Sequence, residues 1–151
     1  MVVQAVFEER YWYPDDGGQV WLAGYSLVDE DGRYLARDAA EVIARGLHVV
    51  AVAGTSHRAE ALDAAPAGPG SPLELRRDPG NEHDPNAIEV LAGGVVIGFV
   101  PRDLASALAR ELDAGKPWSA VVLRERRASP RDPRTGVTML LAPDVGIDLR
   151  A

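Results

Sequence analysis

The chain contains no cysteine among its 151 residues. That excludes disulfides, thiolate zinc fingers and a thiol nucleophile, and it fits a reducing cytoplasm as the expected location. Long apolar runs are missing too. The longest, such as Gly94 to Val100, fall far short of the ~20 residues that a membrane-spanning helix needs, so no membrane partner is expected. The N-terminus, Met-Val-Val-Gln-Ala-Val-Phe-Glu-Glu, lacks the basic region of a signal peptide. There is no Walker-A loop to suggest an ATPase motor and no Gly-x-Ser-x-Gly elbow. Internal repeats and coiled-coil heptads are also absent.

An excess of positive charge is the remaining absence. The formal net charge is −7, which taken alone argues against nucleic acid. The charge is unevenly placed. Residues 1–46 carry four Arg and nine carboxylates, a net of −5, whereas residues 47–151 carry 12 basic and 14 acidic side chains, a net of −2. The second part holds a dense basic run, Arg124, Arg126, Arg127, Arg131 and Arg134. The acidity belongs mainly to the first segment. We therefore divide the chain into an acidic N-terminal extension, 1–46, and a domain, 47–151.

What is present is a β-rich pattern with enough apolar content, 46%, for a packed core. Val2 to Phe7 and Gln19 to Val28 read as a hairpin around the turn cluster Pro14-Asp15-Asp16-Gly17-Gly18. Arg37 to Arg45 has helical spacing, with Asp38 as N-cap and Gly46 as the stop. Leu47 to Ala53 is a β-type run, and His57 to Ala65 a short helix. Leu73 to Arg77, Ala87 to Leu91 and Val95 to Val100 are strands, the last two joined at Gly93-Gly94. Pro101 to Gly115 is the clearest helix, with Leu104, Ala105, Leu108, Ala109 and Leu112 on one face. Trp118 to Leu123 and Val137 to Leu141 are the last of the strand-like runs after residue 46. The expected fold is mainly β with helices (α+β). It is an OB-like small β-barrel with two helices plus an N-terminal hairpin and helix extension, with a β-sandwich as the alternative.

The richest segment runs from Arg77 to Val90. Asn81, His83, Asp84 and Asn86 place donors and acceptors within six positions, and Pro79 and Pro85 fix the backbone between them. Ordered polar loops on rigid scaffolds commonly recognise ligands. Each residue also has a plainer reading. Asp84 can cap its own loop as an Asx-turn, and Asn81, Asn86 and Asp78 can brace it. Phe99 can be core, and Arg102 can be solvated. Tyr11-Trp12-Tyr13, with Trp21 and Tyr25, reads as hairpin core rather than as a stacking platform.

Val49 to Gly115 resembles the HIRAN domain, in the form of a stand-alone bacterial-type member. The resemblance rests on Val52-Ala53-Gly54, on Leu73 to Arg77, and on the loop Asp78-Pro79-Gly80-Asn81-Glu82-His83-Asp84-Pro85-Asn86-Ala87-Ile88. It continues through Ile97-Gly98-Phe99-Val100-Pro101 and the helix with Leu104 and Leu108. It implies an OB-like barrel and, from the fork-remodelling ATPases that carry such domains, binding of single-stranded DNA at a free 3′-hydroxyl end. By that resemblance His57 and His83 are base-stacking rings, Asp84 accepts the terminal hydroxyl, Phe99 lines the pocket and Arg102 meets phosphate. The two histidines stand where the best-known binder has tyrosines, and Ser56 stands where it has a basic residue. Arg58, Arg77 and Asn81 complete the expected nucleic-acid-binding set.

The expected function is a non-catalytic module that binds single-stranded DNA, linked to DNA repair or replication. The alternative is a protein-interaction module whose DNA pocket is lost or covered by the acidic segment 1–46, with that segment as the partner-binding surface. No cofactor is expected. A metal site from His57, His83, Asp84 and Glu82 lacks ligand spacing, and Ser56-His57 with Asp84 lacks the geometry of a hydrolase triad. No enzyme activity is expected.

Overall fold

The computed structural model describes residues 1–13 and 18–151. The turn expected at 14–18 lies, apart from Gly18, outside the described residues. In chain order the elements are β1 (Val2–Trp12), β2 (Val20–Leu27), α1 (Ala40–Ala44) and β3 (His48–Ala51). A 3-10 turn, Thr55–Arg58, leads into α2 (Ala59–Ala64). There follow β4 (Pro72–Arg77), β5 (Ile88–Ala92), β6 (Val95–Phe99), α3 (Arg102–Asp113), β7 (Ser119–Arg127), β8 (Arg134–Ala142) and β9 (Asp148–Arg150). None of the described helices is long and apolar enough to cross a membrane.

The strands form one mixed sheet, ordered β6-β5-β4-β7-β2-β1-β9, with β8 on β7 and β3 on β8. The pairings are antiparallel except β1 with β9. β7 organises the sheet. Along one edge it pairs first with β4, Ala120 opposite Leu73, and then with β2, Arg124 opposite Gly24. β8 runs along its other edge. The sheet curls until the chain beyond β3 meets the end of β6. Ala53 N–H donates to Phe99 O at 2.8 Å and Phe99 N–H donates to Ala53 O at 2.9 Å. Among the described residues only this isolated bridge spans the gap, so the sheet stays open there, as in the partly open OB barrel. Gly98 permits the approach, because a Cβ at that position would lie 2.3 Å from Ala53 O.

Two apolar cores lie on opposite faces of β7 and β8. Ala120, Val122, Met139 and Leu141 join Ile88, Val90, Ile97, Leu108 and Leu62 in the first. Val121, Leu123, Leu140 and Ala142 join Val3, Ala5, Leu27, Val42, Leu47 and Val49 in the second. A strand covered on both faces has little polar side to show, which is why Trp118 to Leu123 and Val137 to Leu141 are apolar apart from Ser119 and Thr138. The extension 1–46 supplies much of the second core and pairs with β7 through β2.

Local signals behave as their chemistry demands. Gly93 and Gly94 both take positive φ, 55° and 82°, the requirement of a two-residue type I′ hairpin turn. α3 stops at Gly115, whose N–H donates to Leu112 O at 3.0 Å while Lys116 N–H donates to Glu111 O at 3.0 Å, a Schellman ending. Other expectations are revised. α1 is shorter than 37–45, and its N-cap position is Ala39, with no side-chain cap from Asp38. Tyr11, Trp12 and Tyr13 are exposed rather than hairpin core, because β7 pairs with β2 only as far as Trp21 and leaves the tip of the hairpin uncovered.

Candidate nucleic-acid interface

The polar loop between β4 and β5 is built by its own side chains. Asp78 N–H donates to Ala87 O at 2.9 Å, closing the base. Asn81 Oδ1 accepts from the N–H groups of His83 (2.9 Å) and Asp84 (3.1 Å), and Asn81 Nδ2 donates to Asp78 Oδ2 at 3.1 Å. Asp84 Oδ1 accepts from Asn86 N–H at 2.9 Å, the Asx-turn expected of an aspartate there. This leaves Asp84 Oδ2, whose charged neighbour is Arg102 Nε at 3.7 Å.

Two arginines hold the loop from outside. Arg77 Nε and Nη2 reach Asp113 at 2.9 and 3.4 Å, its Nη1 donates to Ala87 O at 2.8 Å, and its Nη2 donates to Pro85 O at 3.1 Å. Arg77 thereby ties the back of the loop to the end of α3 and does not line the cavity. Arg102, the first residue of α3, donates from Nη2 to His83 O at 3.0 Å. A cation at a helix N-terminus opposes the helix dipole. These two loop contacts offset that cost, and the exposed remainder of the guanidinium stays open to solvent.

The facing wall is the turn after β3. Gly54 has φ +74°, a conformation that favours glycine, and it turns the chain into Thr55–Arg58. His57 is exposed there, and the Arg58 guanidinium carbon lies 5.6 Å from the centre of the half-buried Phe99 ring, within cation–π range.

Between these walls is an open cavity of about 460 Å³, a size typical of small-ligand sites. Seven of the eight sequence-predicted residues line it: His57, Arg58, Asn81, His83, Asp84, Phe99 and Arg102. Ala53, Gly54, Ala87 and Val100 complete the lining. Sequence reasoning had not assigned these four to a site. Small and aliphatic residues carry no chemical signal, although Ala53-Gly54 and Val100 flank residues that did. The floor is apolar, and two guanidiniums outnumber one carboxylate at the walls. None of the described residues of 1–46 contributes to the lining. Among the described residues no cluster of His, Asp and Glu could hold a metal ion.

The basic run at β7 divides by role. Arg134 is buried, pairs with Glu125 at 3.2 Å and donates to Leu62 O at 2.8 Å. Arg127 pairs with the same carboxylate at 2.6 Å. Both hold the barrel together. Arg126 and Arg131 are exposed.

A small, partly open β-barrel with a ring- and arginine-lined cavity at its open seam defines a binding module. The HIRAN domain model matches residues 45–139, and the chain belongs to the HIRAN domain family. HIRAN domains are nucleic-acid-binding modules. The crystal structure of the HIRAN domain of human HLTF is similar at 24% identity and a TM-score of 0.44, over 65% of this chain and 77% of that one. No curated protein matches the chain.

Proposed function

We propose that the cavity takes the 3′-terminal nucleotide of single-stranded DNA, in the service of DNA repair or replication. The observation that carries this reading is the pairing of Asp84 Oδ2, which accepts no hydrogen bond among the described residues and has only the Arg102 charge beside it, with two exposed imidazoles on opposite walls of one 460 Å³ cavity. A base needs a flat π-face on which to stack, and stacking contributes roughly 1–3 kcal/mol per base. His57 and His83 offer such faces, and Phe99 floors the space between them. A 3′-hydroxyl is a donor and an ionised carboxylate is an acceptor, so Asp84 selects a free hydroxyl and repels a terminal phosphate. Arg58 and Arg102 stand at the rim, where the phosphate preceding the terminal sugar would lie.

Fluorescence anisotropy at low salt, with oligonucleotides ending in a 3′-hydroxyl or a 3′-phosphate, tests the reading. The hydroxyl end should bind more tightly. Asp84→Asn keeps the Oδ1 that holds Asn86, so the loop stays formed, but it removes the charge. A hydrogen bond to a charged group contributes about 1.5–3 kcal/mol, so the variant should lose roughly tenfold or more in affinity for the hydroxyl end and bind the two ends alike. Equal binding of both ends by the unaltered protein would refute end recognition.

A further inference from the structure

We infer that a second groove, built partly by the extension, binds the phosphodiester backbone of the same single strand as it leaves the cavity. This rests on the reading just given. The groove holds about 690 Å³ and is lined by Arg10, Trp12, Arg37, Arg124 and Arg126 together with Ala51, Val52 and Thr55. Arg10, Trp12 and Arg37 lie outside the matched residues 45–139, so the extension supplies one side of this groove and the matched domain the other.

The sheet register puts the cations on one face. Arg10, Leu22, Arg126 and Gly136 are directly opposed across four strands, and Glu8, Gly24, Arg124 and Thr138 form the next row. A bulge in β7 between Val122 and Arg124 sets this alignment. Gly24 and Gly136 keep the floor low, and a Cβ on Gly24 would meet Leu123 O at 2.0 Å. Arg37 reaches the same groove from the loop before α1. Trp12, 52% exposed, closes the far end and offers a stacking face.

Among the described residues none of Arg10, Arg37, Arg124 and Arg126 forms an ion pair, whereas Arg76, Arg77, Arg127 and Arg134 each have a carboxylate. Arg124 donates to Tyr25 O at 2.9 Å. Burial, and after it the positive charges of Arg10 and Arg37, lower its pKa from the usual arginine range. Glu8 faces the group, hydrogen-bonded by the Tyr34 hydroxyl. Glu125 also lines the groove, tied to Arg127 and Arg134. Among the described residues these four guanidiniums outnumber the two carboxylates beside them, Glu8 and Glu125, so the groove carries the charge that suits a phosphodiester. The groove and the cavity flank one segment: Ala51, Val52 and Thr55 line the first, and Ala53, Gly54 and His57 line the second. A strand seated by its end in the cavity has the groove as its next surface.

The test uses the full chain, a dodecamer with a 3′-hydroxyl and one with a 3′-phosphate, and anisotropy over a range of salt. Arg10 and Arg126 are exposed and hold no side-chain hydrogen bond among the described residues, so the double variant R10Q/R126Q should keep the melting temperature of the unaltered protein. It should bind the dodecamer about tenfold more weakly. Each phosphate neutralised on a single strand contributes about 0.7 to the slope of log affinity against log salt, so the slope should fall by about 1.4. The ratio between the two ends should not move. Asp84→Asn should do the reverse, collapsing the ratio and leaving the slope. An unchanged slope and affinity in R10Q/R126Q, or no dodecamer binding by the unaltered protein, overturns the groove. A ratio of one in the unaltered protein overturns only the cavity reading.

Discussion

At the scale of single residues, the loop 78–87 shows how one side chain can brace a loop and line a cavity together. Asn81 lines the cavity, yet its amide group makes three of the bonds that shape the loop, to His83, Asp84 and Asp78. Its two roles cannot be separated by deletion. Asn81→Ala leaves the N–H groups of His83 and Asp84 without their acceptor, and an orphaned, partly buried group costs about 1–3 kcal/mol. Water reaches this loop, so a total loss of about 1–2 kcal/mol in urea unfolding is expected. Amide exchange at His83 and Asp84 should be faster by more than the global loss explains. Protection unchanged at those two amides would mean that the loop is held by Arg77 and the prolines instead. Asp84 differs. Its bracing oxygen and its free oxygen are distinct atoms, so the amide substitution separates bracing from charge. The bracing reading of this aspartate is realised on one oxygen, which leaves the other for the proposed hydroxyl.

At the scale of elements, legibility followed the range of the interaction. α3 was visible because Leu104, Ala105, Leu108 and Ala109 recur at helical spacing, and the β5–β6 hairpin because Gly93-Gly94 dictates its turn. The cavity was visible through polar residues dense enough to demand a purpose. The exposure of Tyr11, Trp12 and Tyr13 was not, since it depends on where β2 stops pairing with β7. Nor was β9, three residues held by parallel pairing to the far end of the chain. Arg77 looked like a cavity cation, but the sequence does not reveal that the end of α3 brings Asp113 to meet it. His48, at the start of β3, is another long-range product. Its ring lies 5.9 Å from that of Trp118, whose indole N–H is held by Glu111. Burial pushes the imidazole below its ordinary value, with the Glu111 charge opposing. The folded state therefore binds a proton at His48 less readily than the unfolded chain. This site's stability is fully present above the ordinary histidine value of 6.5 and is lost as pH falls through the depressed folded value. Unfolding free energies should decline on acidification across that window, and His48→Gln should flatten the decline. An identical pH profile in the variant would assign the effect to other groups.

At the scale of the whole molecule, the boundary near residue 46 marks a change in charge, while the packing runs across it. Val3, Ala5, Leu27 and Val42 cover Val121, Leu123, Leu140 and Ala142 on the outer face of β7 and β8. A shortened chain starting at residue 47 would present that face to water and leave the β2 edge of β7 unpaired. Fully burying an aliphatic side chain contributes about 1.5–3 kcal/mol, so uncovering several at once rivals the whole stability of about 5–15 kcal/mol typical of a domain. We expect residues 47–151 alone to lose near-UV circular dichroism, to bind the dye ANS and to aggregate. The contrary result, a cooperative melt with native near-UV signal, would establish that unit as self-sufficient and the extension as an appendage. The outcome also decides how the acidic segment can be studied. Deletion would confound lost charge with lost core, and by the groove argument it would remove Arg10, Trp12 and Arg37 as well. Neutralising exposed carboxylates one at a time, as in Glu9→Gln or Glu30→Gln, changes the field and spares the second core. If the extension competes with DNA by imitating phosphate, each such change should tighten oligonucleotide binding, most clearly at low salt where screening is weakest. If it contributes cations through the groove, the same changes should help only slightly, and R10Q/R126Q should weaken binding whatever the state of the carboxylates.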